Sequence, residues 1–256
     1  MNLLETQQLV LKRDNRTLCQ QLDLSIKPNQ IWGILGANGS GKTTLLHSFM
    51  GLNAPTQGDV LLQGQSLSKL STIAIARTSG LLFQETYLPF EQTVWDYCRA
   101  GRYPHQVSHL TNPQQDELLI QEAFTQVTLN HLAHRNVHTL SGGEKRRLMI
   151  AKLLVQQPKL YLLDEPTNHL DVHHQILILN HFRQLARKHC AIVMVMHDIN
   201  LIERYCDHVL LLFADGSHQA GALRAVVTTD HLEKMYQQPM TYLSHHNMVY
   251  WFPKIF

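Results

Sequence analysis

No run in this chain is apolar for long enough to cross a bilayer. The longest, Ala191 to Met196 and Val209 to Phe213, are strand-length, against the ~20 residues a membrane helix needs. The start carries no basic head with an apolar body; it is already polar at Glu5-Thr6-Gln7-Gln8, so no signal peptide is expected. No Lys/Arg block occurs and the net charge is only +2, which gives no reason to expect a nucleic-acid partner. The 4 cysteines, Cys19, Cys98, Cys190 and Cys206, are scattered without a C-x-x-C pair. Reduced thiols of a cytoplasmic protein are the expectation. Internal repeats and low-complexity segments are also missing. What remains is a chain of 256 residues, 44% hydrophobic and 16% charged. It is globular, with a substantial core, and long enough for one large domain or two smaller ones.

The segment Gly36-Ala37-Asn38-Gly39-Ser40-Gly41-Lys42-Thr43 fits the phosphate-binding pattern G-x-x-x-x-G-K-[ST] at every fixed position. Its context agrees: Ile31 to Leu35 reads as a buried strand, and Thr44 to Met50 as a helix. Glycines let the backbone wrap closely around anionic oxygens. The exposed N–H groups and the positive helix end then attract phosphates. Lys42 would reach the β- and γ-phosphates, and the Thr43 hydroxyl would sit on Mg²⁺. The chain is expected to bind a nucleoside triphosphate.

The first thirty or so residues read as antiparallel strands, with Leu22, Leu24 and Ile26 alternating with polar neighbours. Pro28-Asn29 turns the chain into the P-loop strand, and Gly58 to Gly64 reads as another strand. From Glu91 to Gln157 the texture is polar and helical, with breaks expected at Pro104 and Asn112-Pro113. Apolar strand-like runs follow at Leu160 to Leu163, Ile192 to Met196 and Val209 to Phe213, separated by amphipathic stretches. Such alternation predicts an α/β fold with a parallel sheet, into which the helical stretch is inserted.

Leu160 to Leu163 runs into Asp164-Glu165. Ligands of open α/β sheets bind at the carboxyl ends of strands, so both carboxylates are expected beside the phosphates. Asp164 would hold Mg²⁺ through its water shell, and Glu165 could polarise an attacking water. Leu140-Ser141-Gly142-Gly143-Glu144 opens a helix running to about Gln157. Ser141 and Glu144 make a capping box, but the paired glycines are unexplained by it, since glycine costs ~1 kcal/mol in a helix. A second phosphate-binding helix start is the alternative, and it suggests that each nucleotide is held between two protomers.

With these motifs in this order, the chain resembles the ATP-binding subunits of ABC (ATP-binding cassette) transporters over essentially its whole length. Leu140 to Glu144 matches the family's Leu-Ser-Gly-Gly-Gln signature with Glu144 for Gln. Asp164-Glu165-Pro166-Thr167-Asn168-His169-Leu170-Asp171 is similar to the Walker B and D-loop run. Gln84 falls at the Q-loop position and His197 at the switch histidine. The resemblance implies a RecA-like P-loop NTPase core with an N-terminal antiparallel β subdomain and an inserted α-helical subdomain. As boundaries we expect 1–88 and 156–256 for the core and 89–155 for the helical part.

The same resemblance implies ATP and Mg²⁺ as cofactors and a head-to-tail dimer sandwiching two nucleotides. Gly36, Asn38, Gly39, Ser40, Gly41, Lys42, Thr43 and Thr44 would bind one face of ATP. Ser141, Gly142, Gly143, Glu144 and Asp171 would contribute across the interface. Thr43, Gln84 and Asp164 would arrange Mg²⁺; Glu165 would be the general base, with His197 contacting the γ-phosphate and holding water and base in place. Arg13 stands where the family usually has an adenine-stacking aromatic. A guanidinium can stack on a base, although an exposed strand-edge arginine is an equal reading.

Ala100-Gly101-Arg102-Tyr103-Pro104-His105 and Asp171-Val172-His173-His174-Gln175 are similar to runs in importer ATPases serving iron–siderophore, haem and cobalamin uptake. A molybdate importer and a soluble ABC scaffold or regulatory factor are the alternatives. As an importer subunit the chain would sit peripherally on the cytoplasmic face of the bacterial inner membrane, with transmembrane permease subunits and a separate solute-binding protein as partners. Gln84 to about Arg102 would carry the coupling, through a groove near Tyr87, Leu88, Pro89 and Phe90, with Tyr97 in the same apolar series; Val94 and Trp95 are weighed more toward packing. Among the 17 histidines, His173-His174 and His245-His246 are adjacent, so they are poor helix-face chelators, and His131 and His134 are a lone pair. Solvated surface residues are expected there rather than a metal site.

Overall fold

A computed structural model of the chain describes residues 1–14, 16–85, 88, 90–106, 112–246 and 248–254. Tyr87 and Pro89 of the expected docking series lie outside the described residues. Strands β1 (Leu4–Arg13) and β2 (Arg16–Ile26) form an antiparallel hairpin, and β3 (Ile31–Gly36) leads into the P-loop. β4 (Gln57–Leu62) and β5 (Gln65–Ser66) join the hairpin in a four-stranded sheet of order β2-β1-β4-β5. β6 (Ser79–Leu82), β7 (Leu160–Asp164), β8 (Ala191–Val195), β9 (His208–Leu212) and β10 (His218–Ala222) complete a six-stranded sheet around β3. Its order is β10-β9-β3-β8-β7-β6, parallel except for the β9–β10 edge. A hairpin of β11 (Met240–His245) and β12 (Met248–Pro253) lies near the C-terminus.

The parallel strands are apolar on both faces, because both faces are covered. Successive side chains point to opposite sides, so one strand feeds two cores. Leu160 and Leu162 of β7, Ala191, Val193 and Val195 of β8, and Trp32 and Ile34 of β3 pack with the helix Lys42–Phe49 and the antiparallel sheet. Tyr161 and Leu163, Ile192 and Met194, and Ile31 and Leu35 face the other way, into the cluster holding Val94, Phe124, Leu148 and Ile150. That second core joins the sheet to the helices Val94–Arg99, Pro113–Gln126 and Gly142–Gln156.

Two local expectations are corrected. Pro104 does not break the chain; it lies in the short helix Tyr103–Gln106. Proline is tolerated in a first turn, where no i−4 partner awaits its missing N–H. Leu88 is not exposed: it is 9% accessible and belongs to the main core, whereas Phe90 is 70% exposed. Pro113 opens its helix behind the N-cap Asn112, whose side chain accepts from the Gln115 N–H, as fixed φ favours at N1.

Candidate nucleotide site

Neighbouring parallel strands β3, β8, β7 and β6 each carry a candidate site residue just beyond the carboxyl end. The P-loop follows β3, His197 lies beyond β8, Glu165 follows β7 and Gln84 lies beyond β6. The cleft they border is about 290 Å³, lined by Asn38, Gly39, Gly41, Lys42, Thr43 and Thr44 of the loop, by Gln84, Glu165 and His197, and by Arg13 and Leu18.

Loop geometry explains its glycines. At Gly36 a Cβ would stand 2.7 Å from the Leu212 carbonyl oxygen, and Gly41 caps the helix at φ 98°, with Leu18 Cβ 2.8 Å from where a side chain would begin. Only glycine meets both demands without strain. The Ser40 hydroxyl is buried beneath the loop. Lys42 Nζ donates to Gly36 O at 2.8 Å and to Ala37 O at 3.1 Å. Burial lowers the pKa of this ammonium, and the nearby Glu165 and Asp164 carboxylates oppose that shift.

Thr43 Oγ1 donates to Asp164 Oδ2 at 2.7 Å. Asp164 is fully buried, and its Oδ1 has no hydrogen-bond partner among the described residues. Burial raises its pKa, with the Glu165 carboxylate adding to the rise and the Thr43 bond and the Arg146 guanidinium opposing it. A buried anionic oxygen without a partner is costly. A cation beside Thr43 and Asp164 would supply that partner. The hydroxyl, carboxylate and Gln84 amide are oxygen donors, which suits Mg²⁺.

Glu165 has φ 50°, in the left-handed region that residues other than glycine occupy uncommonly. Its N–H donates to Val195 O at 3.0 Å. Its carboxylate pairs with His197 Nε2 at 2.6 Å through Oε1 and accepts from Asn168 Nδ2 through Oε2. Glu165 is nearly buried, while the His197 side chain is half exposed. A hydrogen-bonded, oriented carboxylate facing the P-loop cleft can accept a proton from water.

The signature residues lie elsewhere in the protomer. Ser141 accepts from Glu144 N–H at 3.3 Å, and Glu144 Oε2 accepts from Ser141 N–H at 2.7 Å, a complete capping box. Gly143 has a packing reason absent from the sequence reading: a Cβ there would meet the His169 carbonyl oxygen at 2.9 Å. None of Ser141, Gly142, Gly143 and Glu144 lines the cleft of its own chain. Asp171 does not line it either; it caps the helix Val172–Ala186 and accepts from His174 N–H at 2.8 Å. Arg13 reaches the cleft rim with its side chain 74% exposed and 3.7 Å from the Asp14 carboxylate.

Sequence reasoning missed Asn168 as a partner of Glu165 and missed Arg146 altogether. The guanidinium of Arg146 donates to Phe83 O at 2.5 Å, Gln84 O at 3.4 Å and Glu165 O at 2.6 Å, and also to Asp164 O. Burial lowers its pKa to about 10, with Asp164 and Glu165 opposing, so it remains a cation at neutral pH.

Comparison with known proteins places this geometry in a family. A family model described as ABC transporter matches residues 19–168. The achromobactin transport ATP-binding protein CbrD of Dickeya dadantii is 38% identical over 223 residues, covering 87% of this chain and 83% of that protein. The ferric enterobactin transport ATP-binding protein FepC of Escherichia coli is 36% identical over 234 residues, covering 91% and 86%. Among solved structures, an ABC transporter assigned to the metal-chelate type, in an inward-facing conformation, superposes with a TM-score of 0.84 at 26% identity, covering 100% of this chain and 98% of the other.

Proposed function

The chain belongs to the ABC transporter family of ATP-binding proteins, and we propose that it is the ATP-hydrolysing subunit of an importer for metal chelates of the iron–siderophore, haem or cobalamin class. The observation that carries the enzymatic part is the Glu165–His197 pair, 2.6 Å apart and facing the P-loop cleft. The relatives named for achromobactin and ferric enterobactin transport support the substrate class.

Lys42 and the amides of Gly39, Gly41 and Thr43 offset the charge of the β- and γ-phosphates. Thr43, Asp164 and Gln84 would hold Mg²⁺, which when bound would neutralise charge developing on the phosphate oxygens. Glu165 takes the proton of the attacking water as its oxygen bonds to the γ-phosphorus and the bond to the ADP oxygen breaks. His197 orients Glu165 through Oε1, and Asn168 does so through Oε2. Most of the rate then comes from positioning and charge stabilisation.

The dimeric reading rests on the separation of the signature from its own cleft, and the membrane partners on the import-named relatives. Ser141, Gly142, Gly143 and Glu144 act on the nucleotide of a second copy in a head-to-tail dimer, and Asp171 lies at that interface. Arg13 covers the base beside Leu18. The protein works peripherally on the cytoplasmic side of the inner membrane with permease subunits and a solute-binding protein. Among the described residues no helix is long and apolar enough to cross a membrane. A groove of about 410 Å³ bordered by Phe83, Glu85, Tyr97, Met149 and Lys152 suits a short permease helix. Affinity purification from solubilised membranes should bring down a polytopic permease, and deletion of the gene should stop uptake of a labelled iron chelate. Uptake that continues unchanged, with no membrane protein recovered, would overturn the importer reading.

A further inference from the structure

We propose that Arg146 is a positioning residue for hydrolysis: its buried guanidinium ties the signature helix, the Q-loop and the end of β7 together and aims the Glu165 carboxylate. This rests on the reading of Glu165 as general base.

Arg146 is 2% exposed and lies in the second turn of the helix that starts at Gly142. A buried cation without compensation is costly. Here the compensation is backbone carbonyls of Phe83 and Gln84 on one side and of Asp164 and Glu165 on the other. These two segments carry a candidate Mg²⁺ ligand each and the candidate base. Glu165 has φ 50°, so its peptide orientation must be held by its surroundings. Its N–H is held by Val195 O and its carbonyl by Arg146. The carboxylate direction follows from those two peptide anchors, together with Asn168 and His197 at the far end. A lysine could keep the charge but not the planar fork that reaches both segments at once. Rotation of the signature helix would therefore move the base and the Q-loop through one side chain.

The test uses the purified full chain with Arg146→Lys, Arg146→Met, Glu165→Gln and the double variant Arg146→Lys/Glu165→Gln. Steady-state hydrolysis gives kcat and KM, and a fluorescent ATP analogue gives Kd. Arg146→Lys should lower kcat about ten-fold or more, with Kd changed no more than about three-fold, the split expected when an interaction made in the transition state is lost. In the Glu165→Gln background the same substitution should change the residual single-turnover rate by less than about two-fold, because residues acting as a unit are not additive. Arg146→Met should behave like Arg146→Lys; if it does not fold, Arg146→Lys, which retains the charge, decides alone. Wild-type kcat in Arg146→Lys would overturn the proposal. So would a kcat and affinity that fall together, or a full loss repeated in the Glu165→Gln background. Failure of the base reading is seen separately, as normal turnover by Glu165→Gln alone.

Discussion

Replacing Asp164 by Asn should make the nucleotide-free protein more stable and the Mg²⁺·ATP-bound protein less so than wild type. The Asp164 carboxylate is fully buried, accepts one hydrogen bond from Thr43 and leaves Oδ1 without a partner among the described residues. A buried polar group left unpaired costs about 1–3 kcal/mol, more when charged. The amide keeps the Thr43 bond through its oxygen and exchanges an unpaired charge for an unpaired neutral NH₂. The net gain should be about 1–2 kcal/mol, or ~2–8 °C in Tm for a chain of this size.

The sign with pH follows from the raised pKa of Asp164. Its destabilisation is present above that raised value and is lost as the pH falls through it, when the folded state takes up the proton first. The advantage of Asn should therefore shrink on acidification. With Mg²⁺·ATP at about a hundred times its Kd, wild type should gain ~2.7 kcal/mol. In Asp164→Asn, addition of Mg²⁺ to ATP should add little. Thermal melts in EDTA, with ATP, and with ATP plus Mg²⁺ read all three effects. An Asp164→Asn protein that melts below wild type in EDTA, or that responds to Mg²⁺ fully, would refute the reasoning.

Lys42→Ala should weaken ATP binding about ten- to hundred-fold, the worth of a charge-assisted contact to phosphate; equilibrium titration with a fluorescent nucleotide checks it. Mixing Lys42→Ala with Ser141→Arg protomers should leave at most one intact composite site per heterodimer, so activity should return partly on mixing. Absence of any recovery, in proteins that still associate, would count against sites shared between copies. Phe90→Glu should leave the unfolding free energy within about 0.5 kcal/mol of wild type, as an exposed substitution, yet reduce membrane recovery and uptake. Leu88→Glu should instead destabilise by several kcal/mol through an unpaired buried charge, a contrast that chemical denaturation resolves.

Much of the site was legible because local sequence dictates it. Gly36 to Thr43 encodes its own turn, and Leu160 to Leu163 encodes a strand whose end places Asp164 and Glu165 at the sheet's carboxyl edge. The two-sided burial of β3, β7 and β8 likewise follows from uninterrupted apolar runs. What stayed hidden depends on contacts between residues far apart in the chain. Arg146 reads as a solvated helix arginine, and only the packing of residues 83–84 and 164–165 against its helix shows where the guanidinium goes. Gly143 is small because His169 passes over it. Leu88 and Phe90 are equally apolar, and nothing in their neighbourhood says which of them enters the core.

The central claim is that this cleft hydrolyses ATP with Glu165 as base, and ATP turnover by Glu165→Gln tests it most directly. The variant should bind ATP with near wild-type affinity, lose steady-state phosphate release by about a hundred-fold or more, and accumulate as a dimer with ATP trapped. Phosphate release at the wild-type rate by Glu165→Gln would contradict the account.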